Sequence, residues 1–170
     1  MNSETFLLDS NVLMSVHRLF GIDTAPRFWN TIKEKVESNE IIIIDSVKNE
    51  IASGKDELVK WIDSIPKEYI FDHRTDDIMQ CYSQIIQDVS NREEYTEAAL
   101  YSWAQEKCAD PWIIATAWAN GYTIVTIETL KVPQPGSPSS NAKIPTIAAK
   151  HDIETISLRQ MMKKLNLIWS

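Results

Sequence analysis

Ile41-Ile42-Ile43-Ile44-Asp45-Ser46 is the stretch that decides the architecture. Four β-branched residues in a row make a strand covered on both faces, because a half-exposed strand alternates apolar and polar side chains. Such strands belong to parallel sheets with helices packed on either side. The Asp-Ser pair that follows has N-cap chemistry and leads into a helix carrying Val47, Glu50 and Ile51, ending near Gly54. Strand, then helix, is the unit.

The same alternation extends both ways. Residues 5–8 read as a short buried strand, and Asp9-Ser10-Asn11 turns it into a helix over about 12–19. Pro26 opens a helix with Phe28, Trp29, Ile32 and Val36 on one face. Leu58, Val59, Trp61 and Ile62 form a short helix that Pro66 stops, and residues 69–71 make a third strand. Apolar residues spaced by three and four predict an amphipathic helix over 76–89, and a further helix is expected over about 93–107. Asp110-Pro111 starts an alanine-rich helix that Gly121 ends, and a strand is expected at 122–127. The proline-rich loop 131–141, a helix at 145–150, a strand at 154–156 and a helix at 158–165 complete the chain. The expectation is a single domain over 1–170, an α/β fold built as a three-layer α/β/α sandwich on a five-stranded, mostly parallel sheet.

Composition narrows the function. Seventeen basic against twenty-four acidic residues leave a net charge of −7, which argues against a broad basic face that grips nucleic acid by counterion release. Cys81 and Cys108 have no CxxC or zinc-like spacing, so two reduced, buried thiols are expected. The N-terminus has no basic start, and no apolar run approaches a membrane span. A cytoplasmic, soluble protein is the expectation.

Four acidic residues stand where one element gives way to the next. Asp9 closes Phe6-Leu7-Leu8, Glu50 lies shortly after Ile44, Asp110 opens its helix, and Glu128 follows Ile124-Val125-Thr126-Ile127. Ligands of an open α/β sheet collect outside the carboxyl ends of its strands. Carboxylates gathered there repel one another unless a hard divalent cation holds them together. Each has a plain alternative: Asp9 and Asp110 are ordinary helix caps, Glu50 a solvated helix residue, Glu128 a polar strand end. Their joint placement is what reads as a metal site.

Four segments carry a family resemblance: F-L-L-D-S-N-V-L at 6–13, I-D-S-V-K-N-E-I at 44–51, D-P-W-I-I-A-T-A at 110–117 and T-I-V-T-I-E at 123–128. Over nearly its whole length the chain resembles the PIN-domain nucleases, small α/β/α metal-dependent ribonucleases that include many toxins of bacterial toxin–antitoxin pairs. The resemblance implies that Asp9, Glu50 and Asp110 bind Mg²⁺ or Mn²⁺ and that Glu128 completes the cluster. It gives Asn11 and Thr126 the role of hydrogen-bonding around Asp9 or a water. The chain departs at the fourth position, with glutamate where aspartate is usual. An endoribonuclease is implied, with RNA as substrate and an antitoxin as partner. The alternative is a catalytically degenerate PIN-like module that binds RNA or protein. A phosphohydrolase with a nucleophilic first-strand aspartate ranks lower, because Asn11 stands where such enzymes carry a second aspartate.

Around the acids, Trp112 is a candidate wall of the site. Arg18, Lys131, Lys143 and the loop 131–141 are candidates for substrate contact. Tyr82, Tyr95, Tyr101 and Trp103 read as surplus aromatic surface, and a homodimer is expected from them.

Overall fold

The computed structural model describes residues 3–167; residues 1–2 and 168–170, the latter including Trp169, lie outside the described residues. At its centre is a five-stranded sheet made of β1 (Phe6–Leu8), β2 (Ile41–Ile44), β3 (Ile70–Phe71), β4 (Thr123–Val125) and β5 (Thr155–Ile156). The order is β3-β2-β1-β4-β5, and every neighbouring pair is parallel. The expected "mostly parallel" sheet is therefore wholly parallel. Phe6 pairs with Ile41 on one side and Thr123 on the other, so the first strand of the chain lies in the middle.

The helices are α1 (Ser10–Leu19), α2 (Pro26–Glu37), α3 (Asp45–Ala52), α4 (Glu57–Asp63), α5 (Asp76–Ser90), α6 (Glu97–Trp103), α7 (Asp110–Asn120), α8 (Ile144–Ala149) and α9 (Leu158–Lys164). They flank the sheet to give the α/β/α sandwich. All of β1 and β2 is buried, as Ile41 to Ile44 demanded. The alanines of α7 let that helix lie close: Ile113, Ile114, Ala115 and Ala117 are buried. Gly121 ends α7 at φ 71°, a left-handed conformation that glycine adopts without the steric cost of a side chain, and its N–H returns to the Ala117 carbonyl.

Several boundaries differ from expectation, each for a local reason. Helix α1 begins at Ser10, two residues early, because Asp9 itself is the N-cap. Helix α3 begins at Asp45 rather than after it, with Ile44 in the cap position. The helix expected over 93–107 is confined to Glu97–Trp103: Thr96 caps it at the Ala99 N–H, and Tyr95 pairs instead with Ser139 of the long loop. That loop is tied down by Thr96 N–H to Ser139 O (3.0 Å) and Ser139 N–H to Glu94 O (2.8 Å). The fourth strand stops at Val125, level with Leu8, its last partner on β1.

The partner surface offered by four aromatics is corrected by the packing. Tyr95 and Trp103 are buried within the protomer, and Tyr82 stacks on Trp112 at 3.8 Å between ring centroids. Of the four only Tyr101 is exposed, at 71%. Among the described residues, no helix is long and apolar enough to cross a membrane.

This division is measurable by urea denaturation. Trp103→Ala should cost roughly 3–5 kcal/mol through lost burial and a residual cavity, whereas Tyr101→Ala should stay within about 0.5 kcal/mol of wild type. Comparable losses at both positions would mean that Tyr101 is covered in solution.

Candidate metal centre

The chain runs outward from β1 to β2 and β3 on one side, then crosses to β4 and β5 on the other. The crevice between the carboxyl ends of β1 and β4 is the point where the direction reverses, and open parallel sheets bind ligands there. Asp9 follows β1 directly, and Thr126 follows β4.

Asp9 is fully buried. Its Oδ1 accepts from the Asn11 backbone N–H (3.4 Å), and its Oδ2 accepts from the Thr126 hydroxyl (2.9 Å). The same Thr126 oxygen accepts from the Glu128 N–H (3.1 Å), so one hydroxyl links the ends of both strands. The expected hydrogen-bonding role of Asn11 thus falls to its backbone, and Thr126 acts through its side chain. Glu128 turns one oxygen to the N-terminus of α8, where Oε2 accepts from the Ile144 N–H at 2.7 Å.

Asp110 does not do what an Asp-Pro helix start usually does. It occupies the first turn of α7, Ala109 holds the cap position, and no side chain caps the helix. Its half-buried carboxylate faces the other acids instead. Burial first, then the charges of Asp9, Glu128 and Glu50, push its pKa up to about 7, with Lys143 opposing them. Burial likewise raises Asp9 to about 6 against the bonds from Thr126 and Asn11, and the charges of Glu128 and Glu50 add to the rise. Glu50, on α3, is raised by burial. The buried Ser10 hydroxyl lies near enough to favour its charged form, but it closes no hydrogen bond within 3.5 Å. The charges of Glu50 and Glu128 therefore reach both Asp9 and Asp110, and Asp110 also feels Asp9.

Cys108 is a neighbour that composition alone did not place there. Burial and then Asp110 drive its thiol up to about 12, with Glu50 and Glu128 adding to the effect. It stays protonated and is a poor soft-metal ligand. The donor set that remains is all oxygen, which suits a hard divalent cation such as Mg²⁺ or Mn²⁺. No three of the four carboxylates approach within 4.8 Å of one another; among the described residues that spacing is met by Asp45, Asp72 and His73. An ion bound among the four would have to keep part of its water shell, as Mg²⁺ usually does.

A groove of ≈ 910 Å³ opens beside Glu50 and is lined by Asp45, His73, Lys107 and Trp112, among others. Trp112 walls it, between Tyr82 on one side and His73 on the other. Asp45 and His73 pair through Oδ1 and Nδ1. Nothing in the local sequence of either announces this, since they lie 28 positions apart.

The model of a domain of unknown function, DUF4411, matches residues 6–168, from β1 to beyond α9. The chain belongs to the DUF4411 family. That match takes in Asp9, Glu50, Asp110 and Glu128 together with the groove, so the whole candidate centre lies inside the DUF4411 domain. No curated protein matches the chain.

Metal-free protein should show the cost of this convergence in its pH dependence. The folded pKa values of Asp9 and Asp110, about 6 and about 7, lie above their ordinary value of 3.8. The folded state then holds more protons than the unfolded one between those limits, so stability is greatest at the acid end and falls as pH rises through about 4 to 7. Asp110→Asn removes one charge and no helix cap, so with chelator at pH 8 its thermal midpoint should exceed wild type and its pH slope should flatten. A mutant with the wild-type slope would show that Asp110 has no raised pKa in the folded protein.

Proposed function

We propose that the protein is a divalent-metal-dependent endoribonuclease that hydrolyses RNA phosphodiester bonds at Asp9, Glu50, Asp110 and Glu128. The observation that supports this reading is that Asp9 and Asp110, near the reversal point of the sheet, both have raised pKa values to which the charges of Glu50 and Glu128 contribute. Uncompensated, that gathering opposes folding, and Asp110 caps nothing that would account for its place. A site for a cation gives the arrangement a purpose.

When bound there, Mg²⁺ or Mn²⁺ would orient and acidify a water and offset charge developing on the phosphate. The protein's own share is positional. Thr126 fixes the rotation of the Asp9 carboxylate, and the Ile144 N–H fixes Glu128. Asp110 and Glu50 complete the acidic wall, and the protonated Cys108 does not compete for the ion. The groove beside Glu50 supplies room for a strand of substrate.

RNA as the substrate follows from the resemblance to PIN-domain nucleases, as do the toxin role, an antitoxin partner and a cytoplasmic setting. A homodimer would have to use surfaces other than Tyr82, Tyr95 and Trp103.

The test is cleavage of RNA by purified protein with Mg²⁺ or Mn²⁺. Asp9→Asn and Asp110→Asn should each lower the rate by ~100-fold or more while leaving the fold intact. Cleavage that survives excess chelator, or both substitutions, rules the reading out. Tight RNA binding without cleavage would favour a non-catalytic module.

A further inference from the structure

His73 lies just past β3 and is held from three sides. Its Nδ1 meets Asp45 Oδ1 and stands 3.2 Å from Ser46 Oγ. The same Asp45 oxygen accepts from the backbone N–H of Ser46 (3.0 Å) and of His73 itself (3.4 Å). One face of the imidazole packs on Trp112 at 4.3 Å between centroids, and Trp112 is backed by Tyr82. With the His73 side chain only 13% exposed, rotation is prevented. Both side-chain contacts run through Nδ1, and the ring that carries Nε2 lines the groove.

The helices that clamp His73 are those that carry the acids. Asp45 and Ser46 stand one turn before Glu50 on α3, and residues four apart on a helix are neighbours, with Cβ atoms roughly 5–6 Å apart. Trp112 stands two residues after Asp110 on α7. Glu50 and His73 line one groove, so a strand of substrate running from Glu50 along it passes the imidazole. A carboxylate on Nδ1 fixes the tautomer and leaves Nε2 to exchange a proton with whatever enters.

We propose that His73 is a catalytic residue of the nuclease reaction: as an imidazolium with Nδ1–H held by Asp45, it protonates through Nε2–H the oxygen that leaves when the phosphodiester is cut, with Asp45 as its positioning residue. The proposal rests on the nuclease reading. A water oxygen forms a bond to phosphorus, and the bond from phosphorus to the leaving ribose oxygen breaks. That oxygen keeps the electron pair and takes the Nε2 proton to become a hydroxyl, while the other product ends in a phosphate monoester. The proton lost by the water passes to solvent, and solvent reprotonates the imidazole.

The charged and titratable groups that face His73 are few. Asp45 comes from α3, and Asp72 and Arg74 flank His73 on its own segment, where Arg74 is bonded to Asp72 at 3.1 Å. Helices α7 and α5 contribute Trp112 and Tyr82, and Glu50, Glu106 and Lys107 line the remaining wall. Asp45, Asp72 and His73 bring ligand atoms within 4.8 Å of one another. That spacing is also what a second metal ion would need, so the experiment must separate the two roles.

The measurement compares wild type, His73→Ala and Asp45→Asn with Mn²⁺, on an RNA oligonucleotide and on a nitrophenyl phosphodiester whose leaving group needs no proton. His73→Ala should lose ~100-fold on RNA and stay within about twofold of wild type on the nitrophenyl ester. Asp45→Asn should lower the RNA rate and spare the nitrophenyl ester. Equal losses on both substrates would mean a structural or binding role and overturn the proposal. So would an unchanged RNA rate, or one fewer equivalent of bound Mn²⁺ in His73→Ala. A wild type that cleaves neither substrate removes the nuclease reading itself, and the proposal with it. Wild-type cleavage with an unaffected His73→Ala removes only the proton donor.

Discussion

One hydroxyl holds the centre of this protein together. Thr126 donates to a buried carboxylate of Asp9 and accepts the N–H of Glu128, and so joins the ends of two adjacent parallel strands. Without it, β1 would end in a buried charge with a single long hydrogen bond from Asn11. A buried carboxylate left short of partners is among the more expensive defects in a protein interior. The bond matters beyond its own energy, because it sets where Asp9 and the Glu128 backbone lie relative to each other. Every other feature of the candidate centre is arranged around that fixed pair.

The strength of the scaffold makes the weakness at the site tolerable. Phe6, Leu7, Leu8 and Ile41 to Ile44 are buried in an uninterrupted apolar layer, and Ile113, Ile114 and Ala115 close over it from α7. Against this the acidic crevice subtracts, since its carboxylates repel and are shielded from water. Such opposition between a stable frame and an unfavourable local cluster is common at binding centres, where perturbed side-chain ionisation concentrates. The frame does not need the cluster; the cluster depends on the frame.

What could be read in advance was whatever is encoded locally. The run Ile41 to Ile44 told of a covered strand, and alternating strands and helices told of a layered parallel sheet. The residues at strand ends and helix starts picked out Asp9, Glu50, Asp110 and Glu128 as candidates for one site. Less legible was anything requiring a partner distant in sequence. The pairing of Asp45 with His73 depends on how β2 and β3 lie side by side, and the nearness of Cys108 to the acids depends on how α7 docks. The helix expected over 93–107 failed for the same reason, as Tyr95 found a partner in Ser139 that no local pattern reveals. Tyr95 and Trp103, offered as dimer surface, lie in the core instead, because periodicity names a buried face without naming what buries it.

Glu128 has a double attachment that bears on how the site is wired to its surroundings. One oxygen of its carboxylate closes the N-terminus of α8, and the residue before that helix, Lys143, is the cation that moderates Asp110. Movement of that carboxylate toward the crevice would take the acceptor from the Ile144 N–H and loosen the start of the 144–149 helical turn. Amide exchange at Ile144 would register the filling of a pocket to which that residue contributes no side chain.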